Sequence, residues 1–209
     1  MVSIPHQTTN EEHRLTGSAR FYPVPVKGIE MSKLHTVVVV GEKRANLRLC
    51  GLGSGGRLGA GVTAAQYGLA PLSGALNIVS VTCGPDHTLA LTNQGDVLSW
   101  GMNRFCQLGY VVEVAAPSKI QRLDEQCQPI PRKITGALKG KTVLGVAACR
   151  TASAAWTKNI VYTWGTNGGQ LGKDPLIFSV GYRVQHHAQA IASKFKYSHA
   201  LFLLWRTLS

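Results

Sequence analysis

Apolar positions in this chain gather in short runs, and segments rich in glycine and polar residues separate them. HTVVVV (35–40) and HTLALT (87–92) are β-rich, and the second has an alternating face. NQGD (93–96) is a turn signal, and VLSW follows it as a return strand. The pattern predicts a hairpin of 87–92 with 97–100. VYTW (161–164) repeats the return strand after the shorter turn KNI. Segment 110–141 carries Pro117, Pro129 and Pro131 and reads as a loop with at most one strand, PRKITGAL.

These runs recur. LRLCGLGSGGRLG (47–59), VLSWGMNRFCQLG (97–109) and VYTWGTNGGQLG (161–172) end alike. They share a glycine at Gly51, Gly101 and Gly165, and a Leu-Gly ending at 58–59, 108–109 and 171–172. Trp100 and Trp164 fill the slot that Cys50 holds in the first copy. Upstream lie MSKLHTVVVV (31–40), VSVTCGPDHTLALT (79–92) and LGVAACRTASAAWT (144–157). His35 and His87 share one slot there, and Ala152 takes it in the third copy. Two motifs recurring in the same order near a 50-residue period point to a propeller or solenoid. The units run over about 21–59, 60–109 and 110–172, after a disordered segment 1–20 and before an atypical tail 173–209. In that tail HHAQAIASKF has room for one or two helical turns.

Composition adds little to this picture and excludes some alternatives. The longest uncharged stretch, Leu58–Pro85, is rich in Gly, Ala and Ser and does not read as a spanning helix. The N-terminus has acids and polar residues where a signal core would sit, so an intracellular location, cytoplasm or nucleus, is expected. The five cysteines lack the spacing of a zinc knuckle or redox motif; Cys50, Cys83 and Cys149 are expected as buried thiols. Net charge is +12. That balance fits an acidic partner or a weak nucleic-acid contact, although no run of five Lys/Arg occurs.

The stretch 79–109 resembles the regulator-of-chromosome-condensation repeat. That repeat runs Val-x-x-Val-x-x-Gly, His-Thr-Leu-Ala-Leu, a Gly turn, then Trp-Gly-x-Asn-x-x-Gly-Gln-Leu-Gly. Gly84, His87, Trp100, Gly101, Asn103, Leu108 and Gly109 match it, and Cys106 departs where the family has glycine. The third copy keeps Trp164, Gly165, Asn167, Gln170, Leu171 and Gly172; the first keeps His35, Gly51 and Gly59. FYPVPVKGIEMSKLHTVVVV with CGLGSGGRLG is similar to a narrower group, that of the inhibitor of Bruton tyrosine kinase and its fungal relatives. In that group such repeats accompany ankyrin repeats and a BTB domain. The resemblance implies an all-β fold, here a partial β-propeller of about three blades. Three blades do not close a ring of seven, so the chain reads as a fragment, marginally stable alone and prone to associate.

The candidate chemistry is thin. Gly51-x-Gly53-x-x-Gly56 has the form of a dinucleotide fingerprint, with TAAQYGLA as a following helix. Yet no Asp or Glu follows from Arg57 to Pro85 to bind a ribose. Asp86-His87 suggests acid–base chemistry, but His35 repeats the slot without an acid before it, which favours a structural hydrogen bond. His186-His187 has no third metal ligand at helical spacing. Trp100 and Trp164 are expected in the core, each indole N–H finding a partner within its own blade. No cofactor, metal or catalytic residue is expected. The resemblance implies a protein-interaction scaffold, in a longer protein part of a ubiquitin-ligase adaptor. The other reading is a guanine-nucleotide exchange factor for a small GTPase with chromatin as an anchor. Arg104, Phe105 and segment 110–141 differ between copies, and a loop face built from them is the expected contact surface.

Overall fold

The computed structural model describes residues 24–42, 46–74, 77–112, 126–166 and 171. Within them the chain forms eleven strands in three antiparallel sheets, with two single-turn 3₁₀ helices at Ser54–Gly56 and Gly136–Leu138. The first sheet holds β1 (Val26–Met31), β2 (His35–Val40), β3 (Leu47–Gly51) and β4 (Gln66–Pro71). The second holds β5 (Ile78–Cys83), β6 (His87–Thr92), β7 (Val97–Met102) and β8 (Cys127–Lys133). The third holds β9 (Gly145–Ala148), β10 (Ala152–Trp156) and β11 (Val161–Gly165). Strands follow chain order within each sheet. The first strands of neighbouring sheets adjoin, β1 to β5 and β5 to β9. The sheets therefore fan about a common axis with their first strands innermost, as propeller blades do.

Apolar side chains fill the spaces between sheets. Val37, Val39, Leu47 and Leu49 of the first sheet, with Leu58 of the loop after β3, meet Ile78, Val81, Ala90, Leu98 and Trp100 of the second. Leu89, Leu91 and Val97 meet Val146, Ala148, Ala155, Tyr162 and Trp164 of the third. Strand β6 is thus buried on both faces: Ala90 looks back to the first sheet while Leu89 and Leu91 look forward. Its alternation in sequence is one of size, small against large, rather than of polarity.

The sheets are phased differently from the sequence units. A unit ends at Gly59 or Gly109, but the fourth strand of each complete sheet lies beyond that end, at β4 and β8. Residues 60–109 supply the outer strand of one blade and three inner strands of the next, which ties neighbours together covalently. TAAQYGLA accordingly enters strand β4 and starts no helix. Segment 110–141 contributes β8, which begins at Cys127, earlier than PRKITGAL, and the second 3₁₀ turn takes Gly136–Leu138. Pro129 and Pro131 are tolerated because β8 is an outermost strand. Cys50, Cys83 and Cys149 are half-buried rather than buried, because each sits at the end of its run, beside a turn. Segments 1–20 and 173–209, with His186 and His187, lie outside the described residues, as do Asn167, Gln170 and Gly172.

Candidate interaction face

Each junction between sheets is closed by one repeated set of hydrogen bonds. His35 Nε2 lies 2.8 Å from Thr88 Oγ1. Thr88 Oγ1 donates to the Arg57 carbonyl at 3.3 Å, so His35 is the Nε2–H donor. The Arg57 carbonyl also accepts from Trp100 Nε1 at 3.0 Å. At the second junction His87 Nε2 is 2.9 Å from Ser153 Oγ, which donates to the Gln107 carbonyl at 2.7 Å. Trp164 Nε1 donates to the same carbonyl at 2.8 Å. The indole partners therefore lie in the closing loop of the preceding blade, not within the tryptophan's own blade. The carbonyl must be met because both indoles are fully enclosed. Ala152 interrupts the series: the third sheet has no histidine to reach onward.

Glycines make room for this clamp. A Cβ at Gly59 or Gly109 would stand 2.8 or 3.0 Å from the indole nitrogen of Trp100 or Trp164. Gly51, Gly101 and Gly165 take φ of 119°, 107° and 108°, and a Cβ there would strike the carbonyl before the histidine slot. Gly84 lies against the His87 ring, where a Cβ would come within 2.5 Å of Nδ1. Asn103 staples the second closing loop, receiving Leu108 N–H at 3.0 Å and donating to the Tyr110 carbonyl at 2.9 Å. Leu108 and Leu171 are buried beneath these loops.

Burial also sets the titration of the clamp. His35 is pushed down to about 4 by desolvation, with the Arg57 charge adding to it. His87 is pushed down to about 3 by desolvation and the proximity of His35. Both are neutral at physiological pH. The His87–Ser153 pair has the partners of a nucleophilic couple, but both residues are fully buried and the serine hydroxyl is committed to a carbonyl. Asp86 does not serve His87 as an acid. It takes the Arg57 guanidinium at 2.7 Å and the Arg104 guanidinium at 3.7 Å. Arg57, with its side chain 5% exposed, also donates to Ser54 Oγ at 2.7 Å. Sequence reasoning missed this ion pair. The signal was present: Arg57 stands where the other copies have Gln107 and Gln170, and Asp86 where they have Leu34 and Thr151.

The histidine turns and the closing loops lie at one end of the sheets, because His35 pairs with Gly51 and His87 with Gly101 across β2–β3 and β6–β7. Exposed Lys33, Arg104 and Arg150 sit on this end. Arg104 stands 5.8 Å from the centre of the half-buried Phe105 ring. Nearer the axis, a cleft of about 320 Å³ lies between the three inner turns, lined among others by Glu30, Lys33, Pro85, Cys149 and Arg150. The Gly51–Gly56 fingerprint falls between β3 and a single 3₁₀ turn, so no helix N-terminus is there to take a pyrophosphate. Among the described residues no group of three metal-ligating side chains occurs, and no helix is long and apolar enough to cross a membrane.

Comparison with known proteins agrees with this architecture. Two models of the "Regulator of chromosome condensation (RCC1) repeat" match, over residues 78–107 and 94–156. The chain is 34% identical over 164 residues to BTB/POZ domain-containing protein 1 of Schizosaccharomyces pombe, covering 78% of this chain and 12% of that protein. It is 40% identical over 155 residues to the mouse Inhibitor of Bruton tyrosine kinase, covering 71% and 10%. It is 36% identical over 141 residues to the bovine Secretion-regulating guanine nucleotide exchange factor, covering 66% and 27%. The chain thus spans roughly a tenth of the length of the first two relatives. Among solved structures, human WBSCR16 superposes with a TM-score of 0.62 at 21% identity, covering 80% of this chain and 41% of that one. Yeast Prp20p gives 0.58 at 23%, covering 78% and 39%. With its glycine, histidine and tryptophan slots joined blade to blade, the chain belongs to the regulator of chromosome condensation (RCC1) repeat family.

Proposed function

We propose that the chain is a protein-interaction scaffold, not a catalyst, and that its loop face receives an acidic segment of a partner protein. One observation carries this reading. The residues common to the copies are buried in the clamp, whereas several that differ between copies reach solvent at one end and are cationic there: Lys33, Arg104 and Arg150, with Phe105 beside them. An exposed arginine next to an aromatic ring is a recurring anchor of protein interfaces. The Schizosaccharomyces pombe relative is named for a BTB/POZ domain. In a longer protein of that kind, the face would serve as the recognition part of a ubiquitin-ligase adaptor in the cytoplasm or nucleus. An Asp/Glu-rich peptide with one aromatic residue is the probe, followed by fluorescence anisotropy. Binding should weaken at least roughly tenfold when Lys33, Arg104 and Arg150 are all changed to Glu, and should fall with salt. Equal binding by the triple variant would sink the reading.

The 36% identity to a guanine nucleotide exchange factor supports a second reading, action on a small GTPase. Release of a fluorescent guanine nucleotide from such a GTPase, measured with and without the chain, separates the two. Acceleration abolished by the triple variant would assign the same face to exchange. No acceleration leaves the scaffold alone.

A further inference from the structure

All three sheets open alike. Their first two strands meet in one register: Ile29 pairs with Val38, Val81 with Ala90 and Val146 with Ala155. Two places before the second partner stands a hydroxyl, on Thr36, Thr88 and Ser153. One place after it stands an apolar side chain, on Val39, Leu91 and Trp156. The sequence AIASKFKYSHALFLL (190–204) fills these slots again, without a gap, as Ile191, Ser198, Ala200 and Leu201. Lys194 and Phe195 fall at the turn, where the other copies have Ser32-Lys33, Gly84-Pro85 and Cys149-Arg150. Tyr197 takes the histidine slot, as Ala152 does in the third copy.

The third sheet shows where such a hairpin belongs. Val37 and Leu47 of the first sheet face the second, and Leu89 and Val97 of the second face the third. Ala154 and Val161 hold the same register slots in the third sheet. They are 0% and 3% exposed, as deep as Val37 at 0% and Leu47 at 1%, although the described strands stop at the third sheet. Ala147, Ala154 and Leu171 form one apolar cluster there. A repeat with such a face needs a neighbour to cover it.

We propose that residues 190–204 are the opening hairpin of a fourth blade, with strands over 190–193 and 198–204, and that this hairpin covers the forward face of the third sheet. Its slots decide the orientation. Val81 and Ala90 pack back onto the first sheet, and Val146 and Ala155 onto the second. Ile191 and Ala200 therefore pack back onto the third, against Ala154 and Val161. Ser198 brings the hydroxyl that Thr88 and Ser153 each donate to the closing loop of the preceding blade. Ala152 offers it no histidine, so this junction has one hydrogen bond fewer than the other two. Segment 173–189 precedes the hairpin as β4 and β8 precede the second and third sheets.

Hydrogen exchange of the purified full chain, followed by mass spectrometry, tests this. Amides of 191–193 and 198–203 should exchange at least roughly a hundredfold more slowly than in an unstructured chain. A helix over HHAQAIASKF would slow 186–195 alone and leave 198–203 fast. Ile191→Asp sets a charge against the third sheet, and it should speed exchange at least roughly tenfold both in 198–203 and in β10. Lys194→Asp, at the turn, should leave both slow. Protection of β2 and β6, away from this joint, reports that each variant is folded. Fast exchange over 198–203 in the parent chain, or a β10 indifferent to Ile191→Asp, would overturn the proposal.

Discussion

The two junctions between sheets use the same clamp and different fillings. At the first, the closing loop presents Arg57 and the next blade answers with Asp86. At the second, Gln107 takes the arginine's slot and Thr151 the aspartate's, with no ion pair between them. Histidine, hydroxyl, carbonyl and indole are otherwise arranged alike: the histidine and indole distances agree within 0.2 Å, and the hydroxyl-to-carbonyl distance is 3.3 Å at the first junction and 2.7 Å at the second. What the copies share is therefore the means of holding blades together, and what they vary is the charge delivered to the loop end. If that division holds, Trp100→Ala and Trp164→Ala should be the most damaging single changes. Each removes a fully enclosed indole and leaves a carbonyl short of a donor, at a cost of about 3–5 kcal/mol in urea unfolding. A large difference between the two would show that the junctions are not equivalent after all.

The filling can be broken separately. Asp86→Ala leaves the Arg57 guanidinium buried with Ser54 as its remaining oxygen partner. The expected loss is about 2–4 kcal/mol, moderated because Asp86 keeps some contact with water. The double change Arg57→Gln with Asp86→Thr rewrites the first junction as the second, and it should fall within about 1 kcal/mol of the parent. A double variant as unstable as Asp86→Ala would mean that the first blade depends on the charge itself.

Acid separates the blades that carry a histidine from the one that carries Ala152. His35 and His87 titrate near 4 and near 3 in the folded chain, against 6.5 when unfolded. Below 6.5 the unfolded chain binds protons that the folded one refuses, so the unfolded state gains. Their contribution is fully present above 6.5 and declines as pH falls toward 4 and 3. The slope is about 1.4 kcal/mol per pH unit for each histidine, or roughly 2 kcal/mol each by pH 5. Urea melts at pH 7 and pH 5 measure it. His87→Gln keeps a donor for Ser153 and should remove about half of the slope.

Much of this was legible because it repeats. The hairpin of 87–92 with 97–100 and the strand 161–164 were readable from alternation and turn residues, and they stand as β6, β7 and β11. What stayed hidden was contact between residues far apart in the chain. Trp100 meets a carbonyl 43 residues away and Trp164 one 57 residues away, and nothing local distinguishes that carbonyl from its neighbours. Strand β8 was obscured by Pro129 and Pro131, which disqualify a central strand but not an outer one. Strand β4 was obscured because TAAQYGLA opens on Ala64 and Ala65, which favour helix, while the strand itself starts only at Gln66, where pairing with β3 begins.

The smallest expected effect concerns a single departure from the repeat. Cys106 takes φ 55°, the only described residue other than glycine with positive φ, and its counterpart Gly56 takes 73°. The closing loop needs that conformation so that Gln107 can turn its carbonyl to Trp164 and Ser153. A side chain in the left-handed region costs energy that glycine avoids, although glycine also gains freedom in the unfolded chain. The two terms oppose each other, and the strain is the larger where φ is fixed from both sides. Here Cys106 N–H is tied to Asn103 at 3.0 Å and Gly109 N–H reaches back to Cys106 at 3.3 Å. Cys106→Gly should therefore stabilise by about 0.5–1 kcal/mol. Gly56→Cys, the reverse change at the first junction, should do more harm than this gain, because a Cβ there meets Pro129 Cα at 2.7 Å. If Cys106→Gly instead destabilises, the second closing loop is not strained at this residue, and the two loops differ in backbone as well as in charge.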